Sequence, residues 1–221
     1  MPIRPRTITT ERLALRPTQP ADAARAIAIR TDWDVARMLS RASFPPDPRE
    51  TERWFADHQR EWQAGEAYRF AVEHDGTMIG VVDLDGIVRG EAHLGYWFDR
   101  AVWGRGYATE AGAALVRFAF GRTGVTVLRA GHARDNPASG RVLMKLGFVL
   151  CGSAPVFSRP RGETITQCGY LLRHGSADVT APDTDRHSSV QVPSFGRLLL
   201  SAPLEAADLP QRDGGLRDVE F

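Results

Sequence analysis

The sequence predicts an α/β fold: a mixed, mostly antiparallel sheet of six or seven strands with helices on both faces. Three stretches carry that expectation. The pair Asp75-Gly76 joins two runs of strand-forming residues and is a strong hairpin signal. Residues 94–98 read as a strand, and Gly104-Arg-Gly-Tyr-Ala108 leads from it into a helical pattern with Ala111, Leu115 and Phe118 at i, i+4 and i+7. A further strand at 125–130 is followed by Asn136-Pro137, a natural helix start, and by Gly147, a natural helix stop.

In chain order, residues 13–16 form a short alternating strand that Pro17 ends. Gln19-Pro-Ala-Asp22 opens a helix with Ala23 and Ile27 on one stripe, and 32–39 read as a second short helix. After a proline-rich break at 43–48, residues 49–64 form a helix with Trp54, His58 and Trp62 on one face, the tryptophans packed on the sheet. Residues 68–72 and 78–84 are the arms of the hairpin, so the sheet begins antiparallel, and 91–98 continue it. Beyond Phe148, residues 149–153 and 163–172 look like a final antiparallel pair. From His174 the periodicity dissolves into Ser, Asp, Thr and Pro. The chain therefore divides into a folded domain, 1–173, and a polar tail, 174–221, without a core of its own.

Bulk properties exclude several function classes. The 221 residues carry a formal net charge of only +1, which gives no case for a nucleic-acid partner. The tail holds eight acids against four arginines, and Lys145 is the only lysine. Cys151 and Cys168 are too few and too isolated for a disulfide framework or a zinc site, which fits a reducing compartment. His58, His74, His132, His174 and His187 show no metal-ligand spacing, so no metal is expected. With no long apolar run and no signal-type start, the expectation is a cytoplasmic protein without a membrane partner, a monomer or homodimer.

A strand, a glycine loop and a helix start build an anion site, because the first helical N–H groups lack partners and glycines let a phosphate approach. The loop is not a P-loop, since Gly106 is followed by Tyr107 rather than by Lys-Ser/Thr. A dinucleotide fingerprint is weakened, because Thr109 holds the third glycine position and Arg129 stands where the ribose-binding acid belongs. An arginine there still suits a 2′-phosphate, so an NADP-binding reductase stays open.

The run Trp103-Gly-Arg-Gly-Tyr-Ala-Thr-Glu-Ala111, followed by Asn136-Pro-Ala-Ser139 and Lys145-Leu-Gly-Phe148, resembles the GNAT superfamily of acyl-CoA-dependent N-acetyltransferases. The similarity spans residues 7–172 and is nearest to the branch of ribosomal-protein N-terminal acetyltransferases. That resemblance implies two central parallel strands, 93–98 and 125–131, splayed around acetyl-CoA as cosubstrate. It implies that the pantetheine arm pairs with the main chain at Trp97 and Phe98. The diphosphate would lie on the N–H groups of Gly104, Arg105, Gly106, Tyr107, Ala108 and Thr109, with Trp103 replacing the family's usual polar residue. Asn136 serves as a helix cap, as a contact to the cofactor arm, or as both. The helix tyrosine that many members use as acid is absent, its place taken by Leu143. Ser139 resembles the serine of the ribosomal-protein branch and either donates to the departing thiolate or satisfies helix N–H groups. For the base, Glu91 and His93 share one strand face, and His93 sits where members often place a glutamate. The acceptor implied is a primary amine: a protein or peptide N-terminus, or alternatively a small amine such as an aminoglycoside or polyamine. A non-catalytic acyl-CoA-binding module is the alternative of a different class.

Overall fold

The structure, a computed structural model, describes residues 3–175; the tail read from the sequence lies outside the described residues from 176 onward. One sheet of eight strands organises the chain, in the order β1-β2-β3-β4-β5-β6-β8-β7. Its members are β1 (Ile8–Thr9), β2 (Ala14–Pro17), β3 (Tyr68–His74), β4 (Thr77–Val88), β5 (Glu91–Phe98), β6 (Val127–Ala133), β7 (Val149–Ser158) and β8 (Glu163–Arg173). The sheet exceeds the six or seven strands expected because the two residues of β1 pair with β2, a contact too short to leave an alternating pattern in the sequence. The helices are α1 (Ala23–Arg30), α2 (Trp33–Ala36), α3 (Pro48–Ala64), α4 (Tyr107–Arg122) and α5 (Pro137–Lys145). α2 stops after four residues, half the length that the sequence indicates.

Alternation along the strands sends side chains to two cores. Phe70, Val82, Leu84, Leu94, Phe98 and Leu128 face α4 and α5, where they meet Ala111, Leu115, Phe118 and Leu143. Ala71, Met78 and Val81 face the other way, against Ala23, Ala26 and Phe55, with Trp54 and Trp97 at the border. The hairpin turn between β3 and β4 is the one that Asp75-Gly76 signals, and both residues take positive φ, 50° and 71°.

The sheet is antiparallel except at its middle. β5 and β6 run parallel, and their pairing covers only Glu91 to His93 against Val127 to Arg129. Beyond that point β5 stays with β4 as far as Phe98, while β6 stays with β8 as far as Ala133. The two central strands therefore diverge and open a notch between them.

His58 illustrates how tightly the α3 face is closed. It is 4% exposed, its Nδ1 lies 2.7 Å from Thr18 Oγ1, and its buried Nε2 has no partner among the described residues. Burial, reinforced by the nearby Arg69 cation, pushes its pKa down to about 3. Below pH 6.5 the unfolded chain protonates here and the folded chain does not, so this residue withdraws stability as pH falls. Between pH 7 and pH 5 the loss amounts to about 2 kcal/mol. Urea midpoints at the two pH values should thus fall less steeply for His58→Gln than for the unaltered protein.

Candidate active site

The notch between β5 and β6 continues into a cleft of about 340 Å³ lined by both strands, the glycine turn, the start of α4 and one face of α5. It closes at one end where His93 pairs with Arg129. At the other end stands the turn before α4, in which Gly104 and Gly106 take φ of 77° and 81°. Two left-handed residues in three bend the chain so that α4 starts with its N–H groups toward the cleft. The first helical bond runs from Glu110 N to the Gly106 carbonyl, so the N–H groups before it are left for a ligand.

Glu110 fixes this turn from outside. Its carboxylate accepts hydrogen bonds from Thr10 Oγ1 at 2.7 Å, Arg12 N at 2.9 Å and Arg12 Nε at 2.7 Å. Arg12 in turn donates to the Arg105 carbonyl at 3.0 Å. Partial burial raises the Glu110 pKa, and the bonds from Thr10 and Arg12 outweigh it and hold it low.

The strand edge facing the notch supplies main-chain groups. Asp99 N donates to Ile79 O on β4, and antiparallel alternation then turns the N–H and C=O groups of Tyr96 and Phe98 to the opposite edge. The Phe98 carbonyl is already taken by Trp103 Nε1 at 3.0 Å, which gives the aromatic residue at 103 a structural task. The Phe98 side chain packs in the α4 core and that of Trp97 packs toward α1 and α3. Phe98 therefore meets the cleft by its main chain, whereas the N–H and C=O of Trp97 face β4, so the main-chain pairing expected at Trp97 falls to Tyr96 instead.

Of the other residues singled out from sequence, Gly104, Gly106, Tyr107, Ala108, Thr109, Asn136 and Ser139 line the cleft. Tyr107 does so by its backbone, since its ring is buried and its hydroxyl lies 2.9 Å from His74 Nε2. Arg105, Glu91 and His93 are not among the lining residues. Glu91 is committed to Arg129 at 2.9 Å. His93 is half-buried, and burial lowers its pKa against the opposing pull of Asp85.

α5 brings in the polar groups nearest the notch. Asn136 is the cap expected: its Oδ1 accepts from Ser139 N at 3.2 Å. Ser139 Oγ is not used for capping. It lies 2.7 Å from the Tyr96 hydroxyl, which also donates to the Ser139 carbonyl at 3.1 Å. Burial pushes the Tyr96 phenol up to about 12, with the Ser139 bond opposing, so it stays protonated across the neutral range. Sequence reasoning missed Tyr96, although a tyrosine among the inward residues Ala92, Leu94 and Phe98 needs a partner for its hydroxyl. It also missed Arg141 and Lys145, one turn apart on α5 and both lining the cleft. Arg161 grips Asp135 with two bonds of 2.9 Å. Among the described residues no cluster of three or more His, Cys, Asp or Glu side chains is placed to hold a metal.

Comparison with known proteins agrees with this geometry. Residues 12–149 match the family model described as acetyltransferase (GNAT) domain. The probable N-acetyltransferase YjcK of Bacillus subtilis is 36% identical over 97 residues, which are 42% of this chain and 54% of that protein; the match spans about half the relative's length. Among solved structures, RimL, a ribosomal L7/L12 alpha-N-protein acetyltransferase in complex with coenzyme A, superposes with a TM-score of 0.69 at 20% identity, covering 76% of this chain and 98% of that one. RimJ of Mycobacterium smegmatis with a CoA-disulfide gives 0.71 at 20% identity, covering 80% and 91%. At these identities the structures speak for the fold.

Proposed function

Since the chain belongs to the acetyltransferase (GNAT) family, we propose that it moves the acetyl group of acetyl-CoA to a primary amine, by direct attack of that amine. The observation that carries this reading is the divergence of β5 and β6 after His93 and Arg129. It leaves a strand edge free to pair with the pantetheine arm as an added strand would, in line with the glycine turn that receives the diphosphate. Arg141 and Lys145 add positive charge to the same cleft.

The amine nitrogen attacks the thioester carbon, and the carbon–sulfur bond then breaks. Ser139 is the hydroxyl placed to meet the sulfur. The Tyr96 hydroxyl donates to the Ser139 carbonyl, and in its 2.7 Å contact with Ser139 Oγ either hydroxyl can donate; the arrangement that serves the reaction is the one in which the Ser139 hydrogen points at the developing thiolate. The site thus has an acid side on α5 and, opposite it, a side bordered by Val35 of α2 with Met38 and Leu39, from which the amine enters. The acceptor in our reading is the N-terminal amine of a protein or peptide. What supports it is the likeness to RimL, named for acetylating the α-nitrogen of a ribosomal protein.

The deciding experiment is thermal unfolding with acetyl-CoA and, separately, with NADPH. A ligand present at 100 times its Kd adds about 2.7 kcal/mol to stability. Acetyl-CoA should raise the midpoint and NADPH should leave it unmoved. The reverse pattern would sink the proposal and revive the dinucleotide reading of the loop. A positive shift leads to acetyl transfer onto peptides with free N-termini, followed by mass.

A further inference from the structure

Gly95 lies on β5 two residues past the last pairing with β6, where the notch is open, and it lines the cleft. A β-carbon built there would sit 2.4 Å from Oδ1 of Asp83. The carboxyl group of Asp83, on the neighbouring strand β4, is therefore folded across the missing side chain of Gly95. Its other oxygen is held at 2.6 Å by Arg69 Nη1. Oδ1 accepts no hydrogen bond from the described residues, and the side chain keeps 15% of its surface exposed. A half-buried carboxylate with one oxygen anchored and one spare is an arrangement made to accept a proton.

Asp83 is not itself among the residues that line the cleft; it borders the cleft across Gly95, whose missing side chain leaves the carboxyl group next to the opening. We propose that Asp83 is the catalytic residue that takes the proton from the attacking amine, through Oδ1, across Gly95. This rests on the acetyl-transfer reading above. As the carbon–nitrogen bond forms and the carbon–sulfur bond breaks, the amine proton passes to Oδ1 and the thiolate is protonated from the Ser139 side. The balance is acetyl-CoA plus amine to amide plus free thiol. Two other carboxylates are worse placed. Glu91 stands in the paired, closed part of the β5–β6 ladder beside Arg129, and both oxygens of Glu61 accept from Arg69. His93 is paired with Arg129 in the closed part of the ladder, behind the opening.

The charged and titratable groups around Asp83 are Arg69 on β3, Glu61 and His58 on α3, Asp85 on its own strand and His93 on β5. Arg69 is buried, 8% exposed, and also lies with its guanidinium 5.0 Å over the Trp54 ring. Burial raises the Asp83 pKa to about 6, with Arg69 opposing and Asp85 adding to the rise. The carboxylate is the active form, so kcat/KM should climb with pH through the region of 6. A base of this strength suits an α-amine, with a pKa of about 8, better than a lysine amine near about 10.4.

The test uses the full chain, acetyl-CoA and two synthetic peptides: one with a free N-terminal serine, the other N-terminally blocked and carrying a lysine. Asp83→Asn should lower kcat on the first peptide about 100-fold and flatten the limb near pH 6, while the midpoint shift with acetyl-CoA persists. Gly95→Ala should push the carboxyl group aside and lower kcat at least about tenfold, again with cofactor binding intact. Wild-type kcat and an unchanged limb in Asp83→Asn would overturn the assignment. If Asp83→Asn loses the acetyl-CoA shift because Arg69 is left short of a partner, Gly95→Ala decides, and full activity there overturns the assignment too. Failure of the unaltered protein to acetylate either peptide would overturn the proposed function itself, and Asp83's role with it.

Discussion

Replacing Gly106 with valine is expected to weaken acetyl-CoA binding about 100-fold, as measured by calorimetric titration. Gly106 holds φ at 81° at the residue that starts α4, a conformation that a β-branched side chain reaches only at a cost of about 1–3 kcal/mol. Space is not the obstacle, because the nearest atom to a β-carbon there is Arg12 Nη2 at an ordinary 3.5 Å. The turn must therefore change shape, and the change falls on the groups that the proposed function assigns to the diphosphate. Each 1.4 kcal/mol of lost interaction is tenfold in Kd. The fold should survive, since Glu110 still ties α4 to Thr10 and Arg12 and the α4 core residues Ala111, Leu115 and Phe118 are untouched. A variant that keeps its urea midpoint and loses the ligand would locate the defect in the turn. Undiminished binding would mean that the diphosphate lies elsewhere.

Much of this architecture was legible because it is written in local chemistry. Asp75-Gly76, the Gly104–Gly106 turn and the Asn136-Pro137 cap each demand one backbone shape, and each takes it. Other features depend on what meets across long sequence separations, and these left no local mark. Tyr96 and Ser139 are 43 residues apart, and nothing near either one announces the pair. Nothing beside Gly95 in the sequence points to the Asp83 carboxyl group that lies over it. Glu91 and His93 shared a face as expected, but β6 places Arg129 beside both and closes that end of the ladder. Strand alternation identifies a face; only the neighbouring strand decides whether that face is open. The extra strand and the shortened α2 have the same origin, being settled by pairing and packing that exceed weak local preference.

Ser139→Ala is expected to lower kcat by about 10²–10³-fold while leaving the KM for acetyl-CoA nearly unchanged. The prediction follows from a division of labour on α5. Asn136 caps the helix through the main-chain N–H of Ser139, so alanine preserves the cap and removes only the hydroxyl. That hydroxyl is 9% exposed at residue level and faces a phenol held protonated. If its role were merely structural, deleting it would cost a little stability and no rate, because Tyr96 keeps the Ser139 carbonyl as acceptor. Tyr96→Phe should act through Ser139, lowering kcat about tenfold, and adding it to Ser139→Ala should bring little further loss, since the phenol then has no hydroxyl to orient. The pH profile offers an independent reading. Tyr96 loses its proton only toward pH 12, so rising pH up to 9 removes nothing from the acid side. A kcat that falls steeply between pH 7 and 9 in the unaltered enzyme would contradict a Tyr96–Ser139 donor. One that stays level there, and drops uniformly in Ser139→Ala, would place the departing thiolate against the first turn of α5.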